Sequence, residues 1–218
     1  MSVKPIRNII FDLGGVILNI DPQLTIDAFH NLGWNNFYDE NNQSLSKQLF
    51  YDLEQGGSSP EAFRDNVRKM ANLQRDDEDI DEAWAAMILN IPAERVRYLE
   101  ALKKDYHLFL LSNTNEIHRI KFHRNFEVEY GYSFYDLFEH NFYSHEMGMR
   151  KPNPQIYLQA LKEACLVPEE TLFIDDMKEN TDAAKTIGMQ VLHIVPGTLL
   201  EKLPSYLNES QPSIDRIK

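Results

Sequence analysis

A chain of 218 residues with 43% hydrophobic and 26% charged residues carries enough apolar material for a sizeable folded core, which excludes wholesale disorder. Its 34 acidic against 22 basic residues give a net charge of -12, which excludes broad electrostatic binding to nucleic acid or to an anionic membrane face. No apolar run approaches the roughly 20 residues that span a bilayer, and the single cysteine, Cys165, permits no intrachain disulfide, so the residues read as a cytoplasmic protein.

The basic segment Met1 to Arg7 precedes a short apolar run, as a secretory leader would. Asp12 interrupts that run, however, and no small-residue cleavage pattern follows. The run Asn8-Ile9-Ile10-Phe11 therefore predicts a buried strand, Arg7 to Asp12, that gives way to the tight loop Leu13-Gly14-Gly15-Val16. Such a junction presents a carboxylate at the carboxyl end of a sheet, although an Asp before a Gly-Gly turn is commonly no more than a polar strand end.

Helical periodicity follows at Pro22 to Leu32, Ser44 to Gln55, Pro60 to Ala71, Asp79 to Leu89 and Pro92 to Lys104, with a turn-rich break at Glu54 to Pro60. Only the last of these is needed to cross to a second strand. The others predict a helical cap at residues 21–91, inserted into a core made of residues 1–20 and 92–218. The acidic run Asp76 to Asp79 reads as a solvated helix start.

Four more strands are expected at His107 to Ser112, His140 to Ser144, Thr171 to Asp175 and Gln190 to Val195. The second of these has the weakest pattern, because Asn141 and His145 break its apolar run. Pro154 opens a helix ending near Leu166, on which Cys165 reads as a packing position. Another helix runs from about Met177 to Ile187 and stops at Gly188. Ser205 to Lys218 reads as a loose polar tail. Strands alternating with helices predict an α/β fold: a doubly wound, mainly parallel Rossmann-like sheet with an inserted α-helical cap.

Four strand ends or loops carry residues suited to phosphate or metal chemistry, and a sheet of this kind would gather them in one crevice. Asp12 can act as a nucleophile that accepts a phosphoryl group. Asp175 and Asp176, with Asp12, offer the hard oxygen ligands that Mg2+ prefers. Lys151, in Met149-Arg150-Lys151-Pro152, can offset carboxylate charge and hold a phosphate oxygen, and the Ser112 hydroxyl can donate to one. Each also has a plain structural reading: a solvent-facing loop lysine, a helix N-cap serine, a pair of solvated capping acids. Asp21 before Pro22 reads as an N-cap, Glu54 as a possible substrate contact, and His30, His118 and His123 as surface or packing residues.

On Phe-Asp-Leu-Gly-Gly-Val, Leu-Ser-Asn-Thr, Gly-Met-Arg-Lys-Pro and Phe-Ile-Asp-Asp, the chain resembles the haloacid dehalogenase-like hydrolase superfamily over about residues 6–195, in the subgroup whose helical cap follows the first strand. The resemblance implies a phosphatase with Asp12 as nucleophile, Lys151 as partner of nucleophile and phosphate, and Leu13, Gly14, Ser112 and Asn113 around phosphate and substrate. It implies magnesium on Asp12, the Gly14 carbonyl and Asp176, with Asp175 reaching the ion directly or through water.

The departure from the family pattern is Gly14, where most phosphatases of the superfamily carry an aspartate that protonates the leaving group. A positioned acid is worth about 10² to 10⁴ in rate. Sugar-phosphate phosphatases with glycine at this place look similar, so a magnesium-dependent phosphatase for a small phosphorylated metabolite, a sugar phosphate, is the expectation. Two alternatives stay open: a 2-haloacid dehalogenase, in which Asp12 attacks carbon, and a low-turnover phosphate-ligand binding or regulatory protein. Natural substrate and oligomeric state are open as well.

Overall fold

The computed structural model describes residues 4–37 and 43–210. Its centre is β1 (Asn8–Phe11), whose four residues are all buried. A continuous apolar run of this kind needs cover on both faces and a parallel neighbour on each side. Those neighbours are β2 (His107–Ser112) and β4 (Thr171–Asp175), and the outer positions belong to β3 (His140–Tyr143) and β5 (Gln190–His193). The order is β3-β2-β1-β4-β5, with every pair parallel.

The strands are slightly shorter than their apolar runs. Asp12 already belongs to the loop, although its N–H still bonds the Ile174 carbonyl at 2.8 Å. At the third strand, Ser144 leaves to begin the short helix α7 (Ser144–Met147). Because β3 lies at the sheet edge, a half-buried Asn141 is tolerated there.

Alternation along the strands divides the core in two. Ile9, Phe11, Leu108, Leu110, Leu172 and Ile174 face one side, where they pack with α5 (Ala93–Leu102), α6 (Glu116–Tyr130) and α10 (Leu199–Ser210). Ile10, Phe109, Leu111, Phe142 and Phe173 face the other, covered by α8 (Pro154–Glu163) and α9 (Lys178–Thr186).

Between β1 and α5 lie α1 (Pro22–Leu32), α2 (Gln43–Glu54), α3 (Pro60–Ala71) and α4 (Asp77–Trp84). They close around a separate cluster that includes Phe29, Phe37, Leu53, Phe63, Val67 and Trp84. The fourth helix ends earlier than its periodicity predicts, because Ala85–Met87 tightens into a 3₁₀ turn. The two chain crossings beside this helical group pair with each other. Ile20 bridges Ile88 in antiparallel fashion, and Asn19 N–H bonds Asn90 O at 3.0 Å while Leu89 N–H bonds Asn19 O at 3.1 Å. Among the described residues, no helix is long and apolar enough to cross a membrane.

Two expectations are corrected. Cys165 is not a packing position: α8 ends at Glu163, and Cys165 is exposed with φ 55° in the left-handed turn beyond it. That turn lets Leu166 N–H bond Leu161 O at 2.8 Å and brings Leu166 back against the core. The segment from Ser205 is not a loose tail as far as Ser210, because it continues α10. The spacing of buried Leu199, Leu203 and Leu207 docks that helix, at about 1.5–3 kcal/mol per buried leucine. The remainder of that segment, 211–218, lies outside the described residues.

Candidate active site

Register brings the predicted residues together. Phe11 pairs with Leu110 and with Ile174, so Asp12 stands level with Leu111 and Asp175, one step short of Ser112. Lys151 reaches this point from the loop after α7. Its Nζ donates to Asp12 Oδ1 at 2.6 Å and to Asp175 Oδ2 at 2.7 Å, and the side chain is 1% exposed. The plain reading of Lys151 as a solvated loop residue is thereby excluded.

Asp175, fully buried, is held from every side. Oδ1 accepts from Met177 N–H at 2.8 Å and from Asn180 Nδ2 at 3.0 Å, while Oδ2 accepts from Asn180 Nδ2 at 3.0 Å as well as from Lys151. Its lone pairs are committed to protein donors. Asp176, half-buried, keeps its carboxylate against Gly15: a Cβ built on that glycine would stand 2.5 Å from Asp176 Oδ2. Gly15 also has φ 76°, so close approach and backbone conformation both demand glycine.

One ammonium between two buried carboxylates leaves a surplus negative charge. Burial, partly offset by Lys151 and reinforced by Asp175, pushes the Asp12 carboxyl up to about 7. Burial also disfavours the Lys151 ammonium, but the facing charges of Asp12 and Asp175 outweigh it and hold the lysine above its usual range. Burial, then the neighbouring Asp175, likewise raises Asp176. Oxygen atoms of Asp12, Asp175 and Asp176 lie within 4.8 Å of one another. Three acids against one lysine form a donor set with the chemistry and charge for a hard divalent cation.

Ser112 is buried at the last position of β2 and is not a helix cap. The cap of α6 is Asn115, whose side chain accepts from His118 N–H at 3.1 Å. Asn113 was expected to face substrate. It borders the cavity described below, yet its amide is committed to the core: Oδ1 accepts from Lys151 N–H at 2.8 Å and Nδ2 donates to Lys151 O at 3.0 Å. Asn113 thus fixes the backbone of the residue whose ammonium contacts Asp12. Asp21 does cap α1, accepting from Gln23 N–H at 3.0 Å.

A cavity of about 350 Å³ separates the helices of residues 21–91 from the strand ends. Leu13, Gly14, Ser112 and Asn113 form its floor, and Phe50 and Trp84 contribute to the opposite wall. Glu54 borders it too, with Arg150 Nε donating to Glu54 Oε2 at 3.2 Å and Nη2 lying 3.0 Å from the same oxygen. Sequence reasoning passed over Asn180 and the pairing of Arg150 altogether. Neither carries a local signal, since Asn180 is five residues beyond Asp175 inside a helix, and the partner of Arg150 is far away in the chain.

The model of the family described as haloacid dehalogenase-like hydrolase matches residues 6–188. The chain belongs to this family. It is 31% identical over 186 residues to a D-ribitol-5-phosphate phosphatase of Bacteroides thetaiotaomicron, covering 85% of this chain and 90% of that one. A haloacid dehalogenase-family enzyme of the same organism, solved as a magnesium complex, superposes with a TM-score of 0.86 at 34% identity, over 92% of this chain and 98% of that one. Its complex with magnesium and inorganic phosphate gives a TM-score of 0.79 at 32% identity, over 88% and 96% of the two chains. On the floor of the cavity, Gly14 supplies no side-chain acid.

Proposed function

We propose that the chain is a magnesium-dependent phosphatase that hydrolyses a small phosphorylated metabolite, a sugar or polyol phosphate, through an aspartyl-phosphate intermediate on Asp12. The observation that carries this reading is the buried bridge from Lys151 to Asp12 and Asp175 at the strand ends. With Oδ1 of Asp12 held by the lysine, Oδ2 is the oxygen that attacks phosphorus. Lys151 stays charged and offsets the negative charge that gathers on the phosphoryl oxygens, and the Ser112 hydroxyl donates to one of them.

Asp12, Asp176 and the Gly14 carbonyl would hold magnesium, and Asp175, whose oxygens accept from Lys151, Asn180 and the Met177 N–H, would not ligate it directly. When bound, the ion supplies positive charge that neutralises phosphoryl oxygens and orients the ester. Asp175 acts chiefly through Lys151, by fixing the position of its ammonium.

Residues 1–20 and 92–218 serve as the catalytic core and residues 21–91 as the cap. The cavity suits a small metabolite in volume. Sugar or polyol phosphate is favoured by the likeness to the ribitol-phosphate enzyme. Attack on carbon, as in dehalogenation, needs no metal, leaves Asp176 without a task and is the weaker reading. A cytoplasmic setting agrees with the lone cysteine.

The test is phosphate release from p-nitrophenyl phosphate and D-ribitol 5-phosphate, with magnesium and with a chelator. Magnesium-dependent turnover is expected, and Asp12→Asn should lower it at least about 10³-fold while the protein stays folded. No release from any aryl, sugar or polyol ester overturns the proposal.

A further inference from the structure

Gly14 offers no side-chain acid to the leaving group. A Cβ built on Gly14 would stand 3.2 Å from Ile20 Cδ1, so the end of the isoleucine side chain packs closely over this position. Any proton for the leaving group must then come from elsewhere around the cavity. Asp21 is committed to its helix cap. His118 is neutral, because burial lowers it to about 4, and its Nε2 is bonded to Trp84 O at 3.0 Å. Asp175 is saturated with protein donors.

Among the described residues that line the cavity, Glu54 is the one carboxylic acid. It sits at the end of α2, and its side chain is 22% exposed. Both contacts from Arg150 fall on Oε2, and no other hydrogen bond among the described residues reaches this carboxyl, which leaves Oε1 available. Arg150 is itself braced, lying 4.1 Å over the Tyr51 ring. The turn beyond Glu54 is seated on the core, since a Cβ on Gly56 would stand 2.2 Å from the His145 carbonyl oxygen. Arg150 immediately precedes Lys151, so the same short loop positions the lysine on Asp12 and the arginine on Glu54.

We infer that Glu54, held by Arg150, is a catalytic residue, the general acid and base that Gly14 does not supply; this rests on the phosphatase reading above. As Asp12 Oδ2 bonds to phosphorus and the phosphorus–ester oxygen bond breaks, Oε1 of Glu54 gives its proton to the departing oxygen, which leaves as an alcohol. The Glu54 carboxylate then takes a proton from the water that attacks phosphorus. The bond from Asp12 to phosphorus breaks, phosphate leaves, and both carboxyls return to their starting states. Burial raises the Glu54 carboxyl above its ordinary value, with Arg150 and Lys151 opposing, which is the direction a proton donor needs.

The experiment compares Glu54→Gln, Tyr51→Phe and wild type, with magnesium, on p-nitrophenyl phosphate, phenyl phosphate and D-ribitol 5-phosphate. For Glu54→Gln, kcat/KM should fall by about 10² to 10⁴ on the alkyl ester and by less than about tenfold on p-nitrophenyl phosphate, whose leaving group needs no proton. On p-nitrophenyl phosphate the same variant should release a stoichiometric burst of p-nitrophenolate before slow turnover, because water activation is then impaired.

An equal loss on all three esters, or leaving-group dependence in Tyr51→Phe and not in Glu54→Gln, overturns the assignment while leaving the phosphatase reading intact. Absence of wild-type activity on every ester would instead strike the phosphatase reading. If Glu54→Gln does not fold, Glu54→Asp takes its place. Its shortened acid should show the same leaving-group dependence, and an equal loss on all esters would overturn the proposal.

Discussion

The two walls of the crevice are built on opposite principles. At the strand ends, buried charges are each answered by a specific donor, and Lys151 makes contacts of 2.6 and 2.7 Å. On the helical side, rings do the packing: Phe50 stacks on Trp84 at 4.6 Å and Trp84 on His118 at 4.8 Å, both between nearly parallel planes. Directional bonds tolerate no displacement, so they suit the wall where atoms react. Ring packing falls off gradually and can be rearranged residue by residue, which suits the wall that selects a substrate. Under the proposed function, chemistry and selection are therefore separable in this molecule, and each can be disturbed without the other.

The largest disturbance expected in stability is Lys151→Met. Removing the ammonium leaves Asp12 and Asp175 buried and unpaired, which should cost about 3–5 kcal/mol in urea unfolding and abolish turnover. Magnesium should stabilise this variant more than it stabilises wild type, because a second cation can replace part of the lost charge. A loss below about 1 kcal/mol would show that the charged wall is not held by its lysine, and the contrast between the walls would fail.

What was legible in the sequence follows the same division. Asp12, Ser112, Asp175 and Asp176 each end an apolar run, so parallel pairing sends them to one end of the sheet, and Lys151 sits in a short motif of the loop that reaches the same end. The partners that fix them were not legible. Asn180 is hidden in a helix, and Arg150 meets Glu54 from 96 residues away. The cavity draws on side chains from several helices, and no local pattern records which of them share it. The helix α10 was missed for a different reason: Pro204 and the polar residues after it disguise the leucine spacing that docks it.

A smaller effect should appear at the seam between the walls. His118, in α6, stacks on Trp84 of α4 and bonds its carbonyl, and burial lowers its pKa to about 4. The unfolded chain binds this proton near pH 6.5 and the folded one does not, so the unfolded state gains protons first as pH falls. Stability from this group is complete above pH 6.5 and declines as pH drops towards 4. The loss should be about 2 kcal/mol between pH 7 and pH 5. Chemical denaturation of His118→Gln at the two pH values should show a pH dependence flatter than wild type by that amount. An unchanged dependence would mean that the seam is open to water and that His118 does not join the walls.

The smallest effect is predicted where the helical side does use charge. Arg64 of α3 forks onto Asp81 of α4, with Nε at 2.8 Å from Oδ1 and Nη2 at 2.7 Å from Oδ2. The geometry is bidentate, but Asp81 keeps a side-chain exposure of 29%, so water competes for the pair and little desolvation is at stake. A double-mutant cycle with Arg64→Met and Asp81→Asn should give a coupling of about 0.5–1 kcal/mol, with kcat/KM unchanged in all three variants. A coupling above about 2 kcal/mol, or a loss of activity, would show that the selecting wall is pinned by directional charge as firmly as the reacting one. Packing of Phe29, Phe63, Ile80 and Trp84 would then no longer be what sets the shape of the helical side.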